Sequence, residues 1–317
     1  MPSCKRFIET ADDVLDRFIV PSFTRIGPAL RRRVFDWEDP DLSGVVVAIT
    51  GPTSGLGLAA ARRMASLGAD LVLLARNPDK LEPLASELDA LESITVDLAD
   101  FSAVRRAGQQ LAALDRLDVL IHNGGALLNQ RSENAEGVEL TLATHVVAPA
   151  ILTTEALPAL RRSRGRIITM SSGGMYSQKL DLDDLQNERD YQGAAAYARA
   201  KRMQIVLTME WAQRFGPDVI AHAMHPGWAD TPGVAHALPA FKKLVGPLLR
   251  TPEEGADTLV WLAGVDRDEI GTGGFWLDRR RRPLDYRPGT VVSEDEAQRL
   301  WCQIQDLAGF NCGDEPS

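Results

Sequence analysis

Cysteine is scarce in this sequence of 317 residues, which contains Cys4, Cys302 and Cys312 alone. The three are an odd number, lie apart and include no C-x-x-C pair, so they suggest neither a disulfide framework nor a zinc site. We therefore expect no bound metal and a reducing, cytoplasmic setting.

An excess of positive charge is also lacking, because 35 lysine and arginine residues are outnumbered by 44 acidic ones, which gives a net charge of −9. Contacts with nucleic-acid phosphates need a basic surface, so we expect no nucleic-acid partner. Two arginine clusters lie at residues 161–166 and 279–282. We interpret both as solvated turns rather than as docking sites for an anion.

Long apolar runs are missing as well. No run approaches the roughly 20 residues that a membrane-spanning helix needs. The first residues, MPSCKRFIETADD, lack the basic-then-apolar arrangement of a secretory signal. We therefore expect neither a transmembrane span nor a cleaved signal.

The composition that is present, 44% hydrophobic and 25% charged, allows a large core in one α/β domain or in two smaller ones. Residues 1–41 form a distinct extension, in which apolar residues recur at helical spacing before Pro21 and again from Ile26 to Val34. We interpret them as one or two amphipathic helices that pack on the main domain or on a second subunit. The triple arginine at residues 31–33 leaves peripheral contact with a membrane open.

Short apolar runs alternate with helical segments from Gly44 onward. GVVVAIT, ADLVLLA, SITVDL and LDVLIH are each followed by a helical pattern, and three further strand candidates cover residues 165–172, 218–226 and 271–277. Parallel strands need crossover connections and are buried on both faces. The sequence therefore predicts an α/β fold, a Rossmann-type doubly wound sheet of seven mostly parallel strands with helices on both faces, over residues 42–282. Residues 283–317 are expected to form a tail with one helix.

The first predicted strand ends in TGPTSGLG at residues 50–57, and a helix follows at once. Gly51, Gly55 and Gly57 would let the backbone turn sharply and approach a pyrophosphate, while the helix N-terminus offers free N–H groups. A structural turn is the alternative. Because the motif lies between a strand and a helix, we favour a dinucleotide site that includes Ser54 and Leu56.

The end of the second predicted strand, LVLLAR, should lie at the adenine ribose of such a cofactor. It carries no carboxylate that would repel a 2′-phosphate, and Arg76 could bind that phosphate through two charge-assisted hydrogen bonds. The sequence therefore predicts a preference for NADP(H), with NAD(H) as the alternative.

Tyr197 and Lys201 stand four residues apart in YARAK, on one face of a helix if residues 195–214 are helical. An ammonium a few Å from a phenol would stabilise the phenolate by about 4 kcal/mol at an effective dielectric near 20. That would lower the pKa of the phenol by up to about three units. Such a tyrosine could exchange a proton near neutral pH. Taken alone, this spacing also arises by chance.

Several motifs follow one another in a specific order: Thr50-Gly51-x3-Gly55-x-Gly57, Asn123-Gly124-Gly125, Ser171-Ser172, Tyr197-x3-Lys201, and Pro226-Gly227 with Thr231. Their order and spacing resemble the short-chain dehydrogenase/reductase superfamily over about residues 42–277. Finer stretches, SSGGMYSQKLDLDDLQNERDY, YARAKRMQIVLT and MHPGWADTPGV, are similar to the dehydrogenase/reductase family member twelve group.

The resemblance implies a catalytic set of Ser172, Tyr197 and Lys201. Tyr197 would donate a proton to a carbonyl being reduced or remove one from an alcohol being oxidised, and Ser172 would hydrogen-bond the same oxygen. Lys201 would hold the nicotinamide ribose and acidify Tyr197. The further cofactor contacts that the resemblance implies are Asp97, Leu98, Asn123, Gly124, Pro226, Gly227 and Thr231.

Two departures from the superfamily pattern lie near this set. The usual Asn-Asn-Ala-Gly reads His122-Asn123-Gly124-Gly125, and the asparagine that usually supports a proton-relaying water is His145. An imidazole could bond water too, but its protonation would add positive charge beside Lys201 and make the relay slower or pH-dependent. A structural role for His145, with satisfied hydrogen bonds, is the alternative.

Residues 232–250, PGVAHALPAFKKLVGPLLR, carry apolar residues at near-helical spacing. The corresponding stretch of the superfamily resembles a lid over the substrate, and an apolar underside would favour a lipophilic alcohol or carbonyl. An interface helix is the alternative and leaves a homo-oligomer open.

Two hypotheses of function follow. The first is an NADP(H)-dependent oxidoreductase that interconverts an alcohol and a carbonyl on a lipophilic small molecule by hydride transfer. The second is a nucleotide-bound sensor or scaffold with the same fold and little turnover. Ser171-Ser172 and Pro226-Gly227 are each typical of turns. Their joint placement with Tyr197 and Lys201 favours the enzyme, since a sensor needs no proton donor.

Overall fold

The predicted strands assemble into one sheet in the computed structural model of the protein, which describes residues 12, 16–35, 37–230, 243, 245–286 and 288–313. The strands are β1 (Val46–Thr50), β2 (Asp70–Ala75), β3 (Glu92–Thr95), β4 (Val119–His122), β5 (Arg166–Met170), β6 (Ile220–Met224), β7 (Gly274–Leu277) and β8 (Arg280–Arg281). Their order across the sheet is β3-β2-β1-β4-β5-β6-β7-β8. Each neighbouring pair is parallel except β7 and β8. The predicted fold class is confirmed.

Helices connect the strands. They are α1 (Ile19–Phe23), α2 (Ile26–Arg31), α3 (Gly55–Ser66), α4 (Pro78–Glu87), α5 (Phe101–Ala113), α6 (Leu140–Leu142), α7 (Ala148–Ser163), α8 (Gly193–Phe215), α9 (Pro252–Gly264), α10 (Arg267–Ile270) and α11 (Glu294–Leu307). A π-helical turn, Ala143–Val147, joins α6 to α7, and 3-10 turns cover Gly173–Ser177, Gly246–Leu248 and Pro288–Thr290.

Both faces of the sheet are covered, as the apolar strand sequences require. All five residues of β1 and of β6 are buried. One face packs against α5, α7, α8 and α11, whose buried residues include Leu111, Leu160 and Trp211. The other face packs against α3, α4 and α9, with Met64 and Leu259 among the buried residues. The core therefore forms two layers with the sheet between them.

The sheet changes winding direction between β1 and β4. The chain passes from β1 to β2 and β3 on one side, and then returns to β4 on the other side of β1. In a doubly wound sheet this arrangement leaves a crevice at the carboxyl ends of the two central strands. The glycine turn and the loops after β4, β5 and β6 all emerge at this edge.

Helix α9 begins where its sequence provides a complete capping box. The Thr251 hydroxyl accepts a hydrogen bond from the Glu254 amide at 3.2 Å, and the Glu254 carboxylate accepts from the Thr251 amide at 3.0 Å. Pro252 occupies the first turn, where its missing N–H costs no helical hydrogen bond. The same box, formed by Ser293 and Glu296, begins α11.

One helical stretch among the described residues, Leu140–Ser163, is long and apolar enough to cross a membrane. A single helix of this kind is weak evidence for a membrane span, because a core helix meets the same criteria. Of its most apolar window, 78% is buried inside the protein. Residues of α7 such as Ile151 and Leu157 are wholly buried in the core, so this helix has the surroundings of a core helix.

The described part of the N-terminal extension packs on the main domain through a buried ionic network. Arg31 is 1% exposed, and its guanidinium lies 2.6 Å from Asp12 and 2.6 Å from Asp278. Arg250 also pairs with Asp278 and donates to the Phe23 carbonyl at 3.0 Å. Although burial alone would raise it, Arg250 and Arg31 hold the pKa of Asp278 below its ordinary value. The apolar residues expected to form a helix before Phe18 lie mainly outside the described residues.

The second arginine cluster is not a solvated turn. Arg282 is 4% exposed and lies 2.9 Å from Asp12, while Arg279 is 8% exposed and lies 2.9 Å from Asp257. In the first cluster, burial lowers the pKa of Arg166 to about 10, and its guanidinium donates to the Leu262 and Val265 carbonyls. The interpretation as exposed turns is therefore wrong for these three residues, which stabilise contacts between segments.

The C-terminal helix is present where the sequence predicts it, and it contributes to the core. Leu300, Trp301 and Ile304 of α11 are at most 1% exposed. After α11 the chain turns at Gly309, where φ is +73°, and brings Cys312 back to Cys302 with a Cα–Cα distance of 4.7 Å. These two cysteines form a disulfide. The expectation of unpaired cysteines is wrong because their spacing does not reveal this turn.

Candidate active site

The glycine turn joins β1 to α3 in the conformation that its sequence predicts. Gly51 and Gly55 have φ values of +67° and +53°, in the left-handed region that favours glycine. A Cβ on Gly57 would lie 2.2 Å from the Gly51 carbonyl oxygen, so α3 packs directly on the turn. Ser54 precedes α3 and makes no side-chain capping bond. Its helix therefore presents backbone N–H groups toward the crevice.

Asn123 locks this turn to the end of β4. Its side-chain amide donates to the Thr50 carbonyl at 2.8 Å and to the Gly51 carbonyl at 3.0 Å. In return, the Thr50 hydroxyl accepts from the backbone amides of Asn123 and Gly124 at 3.0 and 2.8 Å. The sequence placed Asn123 in the cofactor cleft, and its side chain fixes the shape of that cleft.

Arg76 and Asp97 lie together at the rim of the crevice. The Arg76 side chain is 79% exposed, and its Nη1 atom lies 3.9 Å from Asp97 Oδ2. Leu98 packs against Gly124, since a Cβ on that glycine would lie 2.9 Å from the leucine Cδ1. The predicted residues from β2, β3 and β4 are therefore neighbours, and the Arg76 guanidinium is free to turn toward an anion.

Ser172, Tyr197 and Lys201 converge at the same edge of the sheet. Ser172 follows β5, its hydroxyl accepts from the Gly174 amide at 3.1 Å, and its side chain lies close enough to the Tyr197 phenol to act on the pKa of that phenol. Both Tyr197 and Lys201 lie on α8, and the Lys201 ammonium is 5.3 Å from the centre of the tyrosine ring. The spacing in YARAK therefore places both side chains on one side of α8, as predicted.

The Lys201 ammonium is held by two oxygen atoms inside the protein. Its Nζ donates to the Met170 carbonyl at 2.8 Å and to Gln204 Oε1 at 3.0 Å. The Gln204 Nε2 atom in turn donates to the His145 carbonyl at 2.8 Å. Sequence reasoning missed Gln204, although its position three residues after Lys201 on a helix was a usable signal.

Burial sets the protonation of this group. It lowers the pKa of Lys201 to about 7 and raises the pKa of Tyr197 to about 12, although the nearby Ser172 side chain opposes the second shift. The expectation that Lys201 lowers the pKa of the phenol is therefore wrong for this arrangement. The physical reason is that desolvation disfavours the charged form of both groups.

His145 lies in the π-helical turn and packs edge-on against Tyr197, with ring centres 5.4 Å apart. Its Nε2 atom is 2.8 Å from the Ala126 carbonyl oxygen, and Gly125 leaves the space that the ring fills, since a Cβ there would lie 2.0 Å from His145 Cε1. Burial, and then the Lys201 charge, lower the pKa of His145 to about 3. The expected positive charge beside Lys201 therefore does not arise near neutral pH.

Pro226 and Gly227 follow β6, and Phe23 of the N-terminal extension packs between their loop and that of Ser172. Gly227 has a φ of +71°, and a Cβ on it would lie 2.6 Å from the Phe23 carbonyl oxygen. A Cβ on Gly173 would lie 2.3 Å from the Phe23 ring. Sequence reasoning found an amphipathic extension but missed this contact, because the sequence does not show which loop it meets.

Two predicted features lie outside the described residues. Thr231 is one, and most of the expected lid is the other, including Val234, Leu238, Phe241 and Leu244. Of that segment Val245 is half-buried, and the Leu248 carbonyl accepts from the Arg25 amide at 3.0 Å. Among the described residues no group of His, Cys, Asp or Glu side chains could hold a metal ion.

Comparison with known proteins identifies the family. Residues 45–240 match the family model described as short chain dehydrogenase. The chain is 39% identical over 265 residues to human "Dehydrogenase/reductase SDR family member 12", covering 81% of this chain and 83% of the relative. It is 32% identical over 326 residues to mouse "Polyprenol dehydrogenase", covering 95% and 96%. Human "Retinol dehydrogenase 12" is 31% identical over 280 residues, covering 85% and 88%.

Solved structures agree with this result. A protein from Mycobacterium paratuberculosis superposes with a TM-score of 0.68 at 25% identity, covering 87% of this chain and 98% of the other. A structure from Beutenbergia cavernae, provisionally assigned as an NAD(P)-dependent gluconate 5-dehydrogenase and solved with bound NADP, gives a TM-score of 0.62 at 26% identity, covering 75% and 96%. The chain belongs to the short-chain dehydrogenase/reductase family. It is an oxidoreductase of the class that acts on CH-OH groups.

Proposed function

We propose that the protein is an NADP(H)-dependent oxidoreductase that interconverts an alcohol and a carbonyl on a lipophilic small molecule. The convergence of Ser172, Tyr197 and Lys201 beside the glycine turn carries this proposal. The sensor or scaffold hypothesis accounts for the turn but not for a buried lysine and a phenol that share one helix face.

The glycine turn and the N-terminus of α3 support the proposal of a bound dinucleotide. Gly51 packs directly against Gly124, since a Cβ on Gly51 would lie 2.8 Å from the Gly124 Cα, and this tight turn places the N-terminus of α3, with its N–H groups, where a pyrophosphate would bind. Asp97 and Leu98 would border the adenine, Leu56 would lie at the glycine turn, and Pro226 and Gly227 would flank the nicotinamide. The resemblance also assigns Thr231 to the nicotinamide, and that residue lies outside the described residues. The bound nicotinamide would supply or accept the hydride.

The preference for NADP(H) follows from Arg76. Its guanidinium is mostly exposed beside the weakly engaged Asp97, so it can turn to a 2′-phosphate and pair with it. NAD(H) lacks this phosphate and would leave Arg76 without that contact.

In carbonyl reduction, Tyr197 donates its phenol proton to the substrate oxygen while the carbonyl carbon receives hydride. The Ser172 hydroxyl donates a hydrogen bond to the same oxygen and stabilises the negative charge that develops there. Lys201 would bind the nicotinamide ribose through the N–H bond that does not go to Met170 or Gln204, and its charge would stabilise the phenolate once Tyr197 has given up its proton. In alcohol oxidation the same residues act in reverse.

The substrate class rests on two supports. Relatives with 31–32% identity are named for polyprenol and retinol, which are lipophilic alcohols. Residues 232–250 supply the apolar segment that would cover such a substrate. We also propose the division of the chain into an extension (1–41), a catalytic domain (42–282) and a tail (283–317), with the enzyme in the cytoplasm.

Oxidation of NADPH and of NADH against a panel of small and lipophilic carbonyls tests the proposal. We expect turnover with NADPH, faster for lipophilic carbonyls, and a loss of at least about a hundredfold in kcat for Tyr197→Phe. Tight binding of NADPH without turnover on any carbonyl would support the sensor instead. Equal turnover by Tyr197→Phe would contradict the role of Tyr197 as the proton donor.

A further inference from the structure

The N-terminal helices expose an apolar face. Among the described residues eight large hydrophobic side chains are exposed, and six of them lie together at residues 18–34 and 248. We call these six the N-terminal apolar face: Phe18 (62% exposed), Val20 (50%), Ile26 (39%), Leu30 (42%), Val34 (50%) and Leu248 (38%). Leu248 belongs to the face because its carbonyl accepts from the Arg25 amide at 3.0 Å.

The packing of α2 fixes this face outward. Ile26, Leu30 and Val34 recur every four residues and therefore lie on one side of the helix and its C-terminal turn. Gly27 and Arg31, about 100° around the helix from Ile26 and Leu30, are buried, and Arg31 pairs with Asp278 of the main domain. Since a rotation that hid the apolar side would break the buried ionic network, the exposure is part of the fold.

Positive charge surrounds the apolar side chains. Arg17, Arg25 and Arg33 are exposed, and none of them forms an ion pair with another described residue. The two acidic residues that the structure describes before Phe18, Asp12 and Asp16, are buried beside Arg31 and Arg282. The described surface of residues 16–35 is thus basic in a chain whose net charge is −9.

A surface that exposes both apolar and basic side chains favours one kind of partner over another. A second copy of the chain, docked through the same face, would bring like charges together across a symmetric interface. An anionic bilayer offers phosphates to the arginines and an acyl boundary to the apolar side chains. We propose that the N-terminal apolar face docks this protein on the surface of a membrane that contains anionic phospholipid.

The position of the face agrees with such docking. Phe23, on the buried side of the same segment, contacts both Gly173 beside the candidate catalytic serine and the backbone of Trp228 after β6. The membrane would therefore lie next to the loops that border the candidate site. This inference does not depend on the proposed cofactor or reaction, because binding to vesicles is measured without turnover.

Sedimentation of the full-length protein with lipid vesicles tests the proposal. One set of vesicles is phosphatidylcholine alone, and the other contains phosphatidylserine as well. We expect binding to the mixed vesicles that weakens as salt is added. The variant Ile26→Ser/Leu30→Ser/Val34→Ser should bind at least about tenfold more weakly, since buried apolar area contributes much of interfacial binding. Arg25→Gln/Arg33→Gln should remove the preference for phosphatidylserine.

A matched control uses the two exposed hydrophobic residues that lie elsewhere, Leu91 (57%) and Val291 (62%). Leu91→Ser/Val291→Ser should bind vesicles as the wild type does. No binding by the wild type, or equal loss in this control, would overturn the proposal. Light scattering without vesicles provides a second check. A dimeric wild type and a monomeric triple variant would also overturn the proposal, because the N-terminal apolar face would then join two copies of the chain. Circular dichroism confirms that each variant is folded.

Discussion

The Lys201 ammonium is joined to the His145 carbonyl through a single side chain, that of Gln204. The amide oxygen of Gln204 accepts from Lys201 Nζ at 3.0 Å, and its amide nitrogen donates to the His145 oxygen at 2.8 Å. All three residues are at most 3% exposed. Gln204 thus positions the lysine, and its oxygen favours the charged form against the desolvation that lowers the lysine pKa.

Replacing this amide should move the pH dependence of the reaction. The ammonium form of Lys201 is the one that the proposed reaction uses. In Gln204→Leu this ammonium loses an acceptor, so the pKa of Lys201 falls further. As pH is raised, the variant should therefore lose activity at a lower pH than the wild type does. In Gln204→Glu a carboxylate near the ammonium raises that pKa, and activity persists to higher pH. The pH profile of kcat/KM measures both shifts.

The control for Gln204→Leu is Gln213→Leu, an exposed glutamine on the same helix. A structural role alone would lower the stability of Gln204→Leu by about 1–3 kcal/mol through unpaired buried groups, with no movement of the pH profile. Opposite shifts in the leucine and glutamate variants are the signature of positioning. If the variants have a lower kcat/KM but the same midpoints in their pH profiles, the positioning role of Gln204 is contradicted.

Arg76 should decide the choice of cofactor. Arg76→Asp removes the partner of the 2′-phosphate and adds a repelling charge, so we expect the Kd for NADPH to rise by about 10–100-fold, with that for NADH unchanged or lower. Fluorescence titration of both cofactors measures this. Arg106→Asp makes the same charge change at an exposed position of α5 and serves as the control. An unaltered NADPH affinity in Arg76→Asp would contradict the assignment.

The sequence predicted the central strands and the site because each rests on a local pattern. The run GVVVAIT can be buried on both faces only in a covered parallel sheet, and TGPTSGLG needs glycine where φ is positive. The strand β8 has only two residues, Arg280 and Arg281, too few to show any periodicity. Local sequence patterns were therefore enough to predict the central strands and the glycine turn, but not β8.

What could not be predicted depends on contacts between distant segments. Arg31 and Asp278 are separated by 247 residues, and nothing near either one indicates that they pair. The pKa of Tyr197 was predicted in the wrong direction because spacing gives proximity to Lys201 but not the burial that opposes ionisation. The helix pattern shows which charged residues are neighbours. The burial of a residue, and so the effect of desolvation on its pKa, is known only from the folded structure.

The buried Lys201 should make stability depend on pH. Its pKa is about 7 in the folded protein, below the ordinary value of 10.5 for the unfolded chain. Between these values the unfolded state binds the extra proton, so this lysine makes the protein more stable as pH rises. Below about pH 7 its desolvation cost is present in full.

Lys201→Met removes this titration. We expect the free energy of unfolding of the wild type, relative to Lys201→Met, to increase from pH 7 toward pH 10 by at most about 1.4 kcal/mol per pH unit. Urea unfolding at several pH values measures the difference. Lys179→Met is the control, since that lysine is exposed. A constant difference across this range would show that Lys201 keeps its charge in the folded protein.

His145 should not contribute a titration step to catalysis. Its pKa of about 3 leaves the ring neutral at ordinary assay pH. We therefore expect His145→Asn to change the rate without altering the shape of the pH–rate profile between about pH 5 and 9. The profile of wild type and variant is the measurement. If the two pH–rate profiles have the same shape, a charged His145 has no role in the proton relay. If the variant lacks a titration step that the wild type shows near neutral pH, His145 does titrate during the reaction.

Phe23 should stabilise the two loops that border the candidate site. It is 2% exposed, and its ring contacts Gly173 while its carbonyl accepts from the Trp228 amide at 2.7 Å. Phe23→Ala leaves a cavity between the extension and these loops, so we expect a loss of about 3–5 kcal/mol in the free energy of unfolding. Phe18→Ala removes the same ring from an exposed position and should cost less than about 0.5 kcal/mol.

Urea unfolding of both variants separates two arrangements of the extension. If residues 16–35 are an integral part of the fold, Phe23→Ala lowers the midpoint of a single transition, because the buried pair of Arg31 and Asp278 makes both regions unfold together. A separate early transition, with the main transition unchanged, would mean that the extension detaches before the domain unfolds. In that case the loop of Ser172 would keep its stability without Phe23, and the contact at Gly173 would not contribute to holding the serine in place.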